Sequence, residues 1–588
     1  MFKKAGIGKV LAIQAAMLST AMCGSGVVIA NDQEQYVPAD THFYLGTGRN
    51  LPLDELMAVM PDIKLPESTE GSEELQEIFE VISNPEELLA QWGIDGDLQV
   101  SIYTVGVVPV FRIALKDSAQ FEKAVAEFES KHKLTPRTDK NEGLTTRFYS
   151  IKSISNATKS MAENEGTSSN SNSAEPDSAI NGTDKAGVLI ANDGTDTVIS
   201  FIYDGENTDL INAAVGVTKP EESLADTGKL KDIRKQWGYG EEIASFFDVQ
   251  QIAATLTGRD SASSRQLEDM LPENSIAQLE MLRSEPCRAE INGLAAAWPM
   301  LVSGTRQFDI SKSEITYDAH TAAVVKHEQL RDTLMLLRGV VPGSQSSSQP
   351  MVSLGLGVTV DKLAQAVGQF SQLLSSMKYQ CSVLSGLNNM ARTDLGAASM
   401  GVVMFGGLAR GVQGIALNLF DIEVNSKSPA QPLNSIDTAL AVSAQDPALL
   451  VQTLKMMPQL GVLAELPLDG SELLLNPMLP VPVPENIQIK AAIKGKNIVI
   501  YSGEKGTDYA SRLGGSDAEG FLTTQIDTRQ ILGKVMSVME MTGQNTEEMT
   551  DILKMIESYP QGNIRYQLDF TEQGIELSAG GTFDRREK

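Results

Sequence analysis

The sequence is poor in cysteine, histidine and aromatic residues. Among its 588 residues there are three cysteines and four histidines, and 5% are aromatic. Such sparse and scattered ligand side chains predict no metal site, and no cofactor motif is found. Basic residues are also scarce, 48 against 76 acidic ones, which gives a formal net charge of −28. Because nucleic-acid binding needs basic surface to neutralise phosphates, no nucleic-acid partner is predicted.

Apolar runs of membrane-spanning length are missing beyond residue 30. Near the start, three lysines precede the apolar stretch Val10–Met22, and a small-residue cleavage motif ends at Ala30. This order is typical of a secretory signal peptide. We predict a signal peptide over 1–30 and a soluble periplasmic protein of a Gram-negative bacterium; an uncleaved anchor is the alternative. Cleavage removes three lysines and no acid, so the formal charge becomes −28 − 3 = −31.

Two cysteines remain after such cleavage, Cys287 and Cys381. An exported protein meets an oxidising compartment, so we predict that they form a disulfide. The bridge would close a loop of about 94 residues and stabilise the fold by roughly 4 to 5 kcal/mol in the chain-entropy description. Two separate buried thiols are the alternative.

The segment 243–256, IASFFDVQQIAATL, has a near copy at 522–535, LTTQIDTRQILGKV. Aligned on Asp248 and Asp527, each has strand-like residues before the aspartate, glutamine three places after it, and apolar residues four and eight places after it. The aspartate can accept hydrogen bonds from free amides of a first helical turn, and the glutamine can reach back as in a capping box. Each segment therefore predicts a strand that runs into a capped helix.

The same pattern follows the strand-like stretches before Asp117 and Asp446. The strands and helices that start at THFYLGTG, from residue 41, return in the same order from MVSLGLG, at residue 351. Within that order, IYDGENTD corresponds most closely to IYSGEKGTD. The order of the elements, more than any single motif, indicates an internal repeat.

We predict an α+β fold of two similar tandem halves, each a mixed, largely antiparallel sheet with helices packed on it. The first half covers 31–341 and the second 351–588, joined by a linker at 342–350, PGSQSSSQP. Residues 153–185 have no aromatic residue and are rich in Ser, Asn, Glu and Gly, which predicts a disordered insertion in the first half. Chance similarity among ordinary strand–helix units is the alternative. A disulfide between the two cysteines would join chain on both sides of the linker.

Motifs for catalysis are missing as well. No G-x-S-x-G nucleophile motif is present, and GTGR at 46–49 lacks the lysine and hydroxyl residue of a phosphate-binding loop. His320 and His327 lie seven residues apart in an apolar-rich segment. That spacing favours structural or surface histidines over catalytic bases, so we predict no catalytic residue and no enzyme.

One segment, residues 456–484, is rich in leucine, methionine and proline but has no regular apolar period. Its prolines disfavour a long helix. We predict that it exposes an apolar surface for an envelope protein or a lipid-like ligand, centred on Leu473, Leu474, Leu475, Met478 and Leu479. A proline-rich loop folded over the core is the alternative.

The stretch YVPADTHFYLGTG, residues 36–48, resembles the opening of exported bacterial envelope proteins of unknown function, whose first strand follows a Pro-Ala-Asp-Thr phrase. The resemblance covers about a dozen residues and implies an envelope protein with helix-bearing sheets. It supplies no active site. We therefore expect a non-enzymatic periplasmic protein that binds or scaffolds an envelope partner or apolar ligand. The alternative is a hydrolase whose site lies in the groove between the halves.

Overall fold

A computed structural model gives the fold. It describes residues 32–47, 51–52, 89–94, 97–141, 144–155, 185–311, 313–344, 349–376, 378–388, 409–424, 433–455, 463, 465–479, 483–531, 533–534 and 561–584. The chain divides into two compact units. The first comprises Met1–Ala295, Pro299–Tyr317 and Arg585–Lys588, and the second comprises Ala296–Trp298 and Asp318–Asp584.

The first unit is built on an antiparallel sheet. Its strands are β1 (Phe43–Thr47), β2 (Leu51–Pro52), β3 (Asp97–Leu98), β4 (Val100–Val105), β5 (Val108–Ala114), β6 (Arg137–Asn141), β7 (Leu144–Ser150), β8 (Gly187–Asn192), β9 (Asp196–Ile202), β10 (Ile243–Asp248) and β11 (Met300–Ile310). The pairing order is β6–β7–β8–β9–β5–β4–β1–β10–β11. Strands β2 and β3 form a separate pair.

Several helices of the first unit begin at polar residues that accept from the first helical turn. The helices of this unit are α1 (Ser118–His132), α2 (Thr208–Val215), α3 (Leu224–Thr227), α4 (Lys229–Trp237), α5 (Val249–Thr257), α6 (Ala262–Met270), α7 (Glu273–Leu282) and α8 (Glu285–Ala297). The side chains of Asp117, Asn207 and Asp248 accept from the backbone at the starts of α1, α2 and α5. Such caps satisfy amides that have no partner within the helix.

The second unit repeats the antiparallel plan. Strand β12 (Glu314–Val324) leads into it, followed by β13 (Gly339–Val341), β14 (Val352–Gly357), β15 (Val412–Val424), β16 (Leu433–Ala444), β17 (Leu473–Leu474), β18 (Ile489–Lys494), β19 (Asn497–Ser502), β20 (Ala518–Gly520), β21 (Leu522–Asp527), β22 (Gly562–Thr571) and β23 (Gly574–Asp584). The pairing order is β17–β18–β19–β16–β15–β14–β21–β22–β23. Strands β13 and β20 pair separately.

The helices of the second unit are α9 (Glu328–Met335), α10 (Val360–Ser376), α11 (Pro447–Leu454) and α12 (Gly503–Arg512). Of these, α11 and α12 pack on opposite faces of the second sheet at its β16–β19–β18 end. Tyr509 and Ala510 of α12 share a buried cluster with Val499 of β19, while Leu450 and Val451 of α11 pack with residues of the opposite face. Burial of each large apolar side chain contributes about 1.5–3 kcal/mol.

The two units share one order of strands. When seven strands of each are numbered along the chain, both sheets have the order 4-5-3-2-1-6-7, that is β8–β9–β5–β4–β1–β10–β11 and β18–β19–β16–β15–β14–β21–β22. The predicted α+β class and antiparallel sheets are confirmed. Within the two strand orders given above, all neighbouring strands are antiparallel, in keeping with the prediction of largely antiparallel sheets.

Asp248 and Asp527 lie at corresponding strand–helix junctions of the two units, at the ends of β10 and β21. The backbone N–H of Asp248 donates to His42 O at 2.7 Å, and that of Asp527 donates to Met351 O at 2.9 Å. Each carboxylate also accepts from the amide three residues later, Gln251 or Gln530. The predicted aspartate caps are confirmed.

The capping-box role predicted for the glutamine was wrong at two of the strand–helix junctions, those that follow Asp527 and Asp117. Gln530 Nε2 donates to the Asp527 carboxylate instead of accepting from the aspartate's backbone, at 3.1 Å. Gln120 Nε2, three residues after Asp117, donates to Gln91 O at 2.9 Å. A glutamine amide can donate as well as accept, and here a nearby carboxylate or carbonyl takes the donor.

The predicted linker, 342–350, lies inside the second compact unit. There the Tyr509 hydroxyl donates to Pro342 O at 2.9 Å, and Gly343 N donates to Asp517 Oδ1 at 2.8 Å. The predicted signal peptide, most of the predicted insertion (156–184), and a predicted strand at 397–405 lie outside the described residues. Cys287 and Cys381 are both buried, and each is disulfide-bonded.

Replacement of Asp527 by asparagine should destabilise the second unit at neutral pH. Burial raises the pKa of Asp527, but hydrogen bonds from Arg529 and Gln530 outweigh it and hold the pKa below its usual value. The ionised carboxylate therefore stabilises the fold above the unfolded-state pKa of about 3.9, and this contribution is lost as pH falls through the lower folded-state pKa. Urea unfolding at pH 7 should show a loss of about 1–3 kcal/mol, which shrinks towards pH 3.

Asp446→Asn is the matched control, because asparagine caps a helix as well as aspartate does. Its unfolding free energy should change by less than about 0.5 kcal/mol. Equal losses in the two variants, or a loss in Asp527→Asn that does not depend on pH, would contradict the junction role.

Candidate functional site

A row of polar side chains crosses four strands of the second unit. Ser353 on β14 is opposite Asn418 of β15 and Gln525 of β21, and Gln525 is opposite Arg565 of β22. Directly opposed residues of antiparallel strands point to the same face of the sheet. We call these four side chains, in the order Asn418–Ser353–Gln525–Arg565, the polar row.

The corresponding row in the first unit is largely aromatic and fully buried. Tyr44 on β1 is opposite Tyr103 of β4 and Phe246 of β10, and Phe246 is opposite Val302 of β11. All four are at most 1% exposed, and the rings of Tyr44 and Phe246 stack with centroids 6.0 Å apart. In the first unit this row is therefore packed core.

The segment that follows α2 in the first unit differs from the segment that follows α12 in the second, and this difference explains the contrast. In the first unit, residues 216–242 carry α3 and α4, whose buried Leu230, Ile233 and Trp237 add to the core, and Lys229 Nζ lies 4.1 Å from the ring centroid of Phe246. In the second unit only residues 513–521 connect α12 to β21. Among the described residues, no helix pair follows α12, and polar side chains occupy the row on this half of the second sheet.

The polar row forms one side of a small cavity of about 30 Å³. Residues from the β13 end, Val341, Pro342, Gly343 and Ser344, and Tyr509 of α12 line it from the other side. Gly355 of β14 is required there, because a Cβ would collide with the Val341 side chain and lie 2.7 Å from Thr523 Oγ1. The segment predicted as a linker thus lines the site.

Asn418 is the buried polar group of this cavity. It is 4% exposed; Ser353 Oγ donates to its Oδ1 at 2.7 Å, whereas its Nδ2 has no hydrogen-bond partner among the described residues. The amide lies beside the Tyr509 hydroxyl but does not reach hydrogen-bond geometry with it. Burial raises the pKa of Tyr509, and the neighbouring Asn418 amide lowers it in part. An amide nitrogen carries two hydrogens, and leaving them unbonded costs about 1–3 kcal/mol.

Arg565 adds an uncompensated positive charge at the exposed end of the row. Acids elsewhere in this unit already have partners: Asp527 binds Arg529, and both oxygens of Asp569 accept from Arg338 at 2.8 Å. No carboxylate of the described residues forms an ion pair with Arg565. The site therefore offers hydrogen-bond donors and one cation.

Arg112, the other conspicuous cation, is fully enclosed in the first unit. Its guanidinium donates to Asp196 Oδ2 at 3.1 Å and to Val215 O at 2.8 Å, and lies 4.0 Å from the ring centroid of Tyr36. These contacts are structural, because the group has no path to solvent and no cavity beside it among the residues described.

Histidines of the described chain serve the fold. His42 Nε2 lies 2.6 Å from Thr255 Oγ1, and burial lowers the pKa of His42. His320 Nε2 lies 3.0 Å from Glu576 Oε2, and His327 Nδ1 accepts from Leu330 N at 3.2 Å. Within the described ranges there is also no group of three or more potential metal ligands.

The predicted apolar partner surface is divided by the fold. Leu475 belongs to the buried cluster beneath α11, and Leu473 and Leu479 pack against that cluster. Leu474 and Met478 are exposed. Of the predicted five, Leu474 and Met478 are therefore exposed, Leu473 and Leu479 are half-buried, and Leu475 is buried.

A larger apolar surface lies on the sheet face opposite the polar row. Leu354 of β14 is 51% exposed and Leu417, opposite it on β15, is 52% exposed. Val352, Leu356 and Ile415 lie beside them on the same two strands and are also exposed. In the described residues this face therefore carries uncovered apolar side chains.

No residue of the polar row was predicted from the sequence. A signal was present in β15, where IALNLF places Asn418 in register with the inward-facing Ala416 and Phe420. A polar residue on the buried face of an apolar strand is informative only when its cross-strand neighbours are known. Those neighbours come from segments far apart in sequence.

Comparisons with protein-family models, curated proteins and solved structures find no match for this chain. The resemblance to exported envelope proteins therefore stays a prediction. Among the helices of the described ranges, none combines the length and the apolar character needed to cross a membrane.

The site account predicts that Arg565 contributes little to stability. Arg565→Gln should change the unfolding free energy by less than about 0.5 kcal/mol, as is usual for a surface residue without a partner. Arg112→Gln, the matched change at a buried arginine that is ion-paired to Asp196, should cost about 3–5 kcal/mol. Denaturant unfolding of both variants measures the difference. A cost at Arg565 approaching that at Arg112 would show that Arg565 is structural.

Proposed function

We propose that this chain is a non-enzymatic, exported binding protein made from a duplicated α+β unit. The first copy is a closed structural unit, and the second copy holds a ligand at the polar row. The periplasm is the proposed location, on the strength of the signal-like segment that ends at Ala30 and the disulfide-bonded state of the cysteines.

Duplication is supported by the shared strand order and by the matching junctions. A capped helix follows the third strand of that order in each unit, after Asp117 and after Asp446. A helix also follows the fifth strand in each, at the corresponding sequences IYDGENTD and IYSGEKGTD. Chance similarity would not be expected to preserve strand order, helix positions and junction hydrogen bonds together.

The observation that carries the proposed binding function is the contrast between the two rows. The same four sheet positions hold Tyr, Tyr, Phe and Val in one unit and Asn, Ser, Gln and Arg in the other. An open cavity with an unsatisfied donor is unfavourable for folding alone. A ligand that bonds to it recovers part of that free energy, and the site contains no nucleophile–base pair that would turn the ligand over.

A second candidate function is an envelope partner or lipid-like ligand on apolar surface. Leu474 and Met478 support it, because both side chains are exposed, 45% and 40% respectively. Methionine adapts well to varied apolar partners. The hydrolase alternative, with a site between the halves, stays a prediction.

The test is to purify the full chain from the envelope of the bacterium that makes it and examine it by native mass spectrometry. Wild-type protein should carry a small adduct. Ser353→Tyr, which introduces the residue of the corresponding first-unit position, should lose the adduct because the tyrosine ring fills the cavity. Co-purified lipid or protein retained in Ser353→Tyr would instead support the apolar surface.

Leu354→Tyr is the matched control, since it adds the same ring at the adjacent residue on the opposite face of β14. This variant should keep the adduct. A thermal melt of each variant identifies any that fails to fold. A wild-type protein without adduct, or equal adducts in both variants, contradicts a ligand site at the polar row.

A further inference from the structure

We infer that the polar row recognises a carboxylate group of a small ligand, bound between the amide of Asn418 and the guanidinium of Arg565. This inference rests on the proposed binding function and specifies its ligand chemistry. Three features of the second unit support it: the kind of polar atom that is free, the local charge, and the size of the cavity.

The free polar atoms are donors. Asn418 Oδ1 is occupied by Ser353 Oγ, so Nδ2 is the part of this amide that remains for a ligand. The buried Ser344 Oγ, on the other wall of the cavity, also has no hydrogen-bond partner among the described residues. A carboxylate can accept from both groups at once. An ammonium group could donate to the serine hydroxyl but could not bond to the amide nitrogen of Asn418, which is a donor only.

The local charge also favours an anion. Arg565 is the only charged residue of the row, and the guanidinium fork suits bidentate binding of a planar carboxylate. Asp517, which reaches the cavity wall, already accepts from Gly343 N and from Asn497 Nδ2 at 2.7 Å.

The cavity size selects a small group. A volume of about 30 Å³ is far below the roughly 300–1,000 Å³ of pockets that enclose whole drug-sized ligands. It suits one functional group anchored inside, with the rest of the ligand lying towards the exposed Arg565. The wild-type site should therefore bind a simple carboxylate weakly and a natural ligand more tightly.

Titration with ¹³C-labelled acetate, followed by NMR on the full mature chain, tests the inference. Arg565→Gln should weaken acetate binding about tenfold, the effect of losing one charged hydrogen-bond interaction. Asn418→Asp should weaken it at least as much, because it replaces the donor by a second carboxylate. Arg512→Gln, which removes a positive charge from α12 outside the row, should leave acetate binding unchanged.

The outcomes separate this inference from the proposed function. If Ser353→Tyr removes a native adduct but acetate binding is absent or insensitive to Arg565 and Asn418, the carboxylate inference is wrong and the binding function stands. The same holds if Asn418→Asp strengthens retention of the native adduct, which would indicate a cationic ligand. If no adduct depends on Ser353 and acetate gives no Arg565-dependent signal, both are wrong.

Discussion

The register of β14 between β15 and β21 is the constraint on which the proposed site depends. It places Ser353 opposite Asn418 on one side and Gln525 on the other. A slip of one residue would bring Leu354 into the row and turn the polar side chains to the opposite face. The backbone bond from Asp527 to Met351 fixes one end of this register, and the same bond from Asp248 to His42 fixes β1.

The same backbone plan therefore supports two different uses of one row. In the first unit, Tyr44 and Phe246 gain stability from burial under the 216–242 segment, at about 1.5–3 kcal/mol for each large side chain. In the second unit, the short 513–521 connection provides no such burial. Asn418 Nδ2 there has no hydrogen-bond partner among the described residues. Loss of stability at a local site is commonly associated with binding, because a ligand can supply the missing contacts.

The sequence was sufficient for elements whose signal is local. Aspartate before an amphipathic run located the starts of α1, α5 and α11. Helices α6 and α7 were not predicted, because their surfaces are mixed and polar.

The site could not be predicted in the same way. Its four side chains come from strands separated by up to 212 residues, 565 − 353, and three of them look like ordinary surface residues. Only the pairing of the strands shows that they form one row. The contrast with the first unit becomes visible once both strand orders are known, since the sequence motifs that repeat are the junctions and not the row itself.

The most direct measurement of the central claim is a crystal structure of the full chain with the ligand it carries from the cell. The account predicts density for an anionic group within hydrogen-bond distance of both Asn418 Nδ2 and Ser344 Oγ, with its charge facing Arg565. A cavity that holds only water, with the Asn418 amide turned so that its nitrogen donates to Ser353, would contradict it.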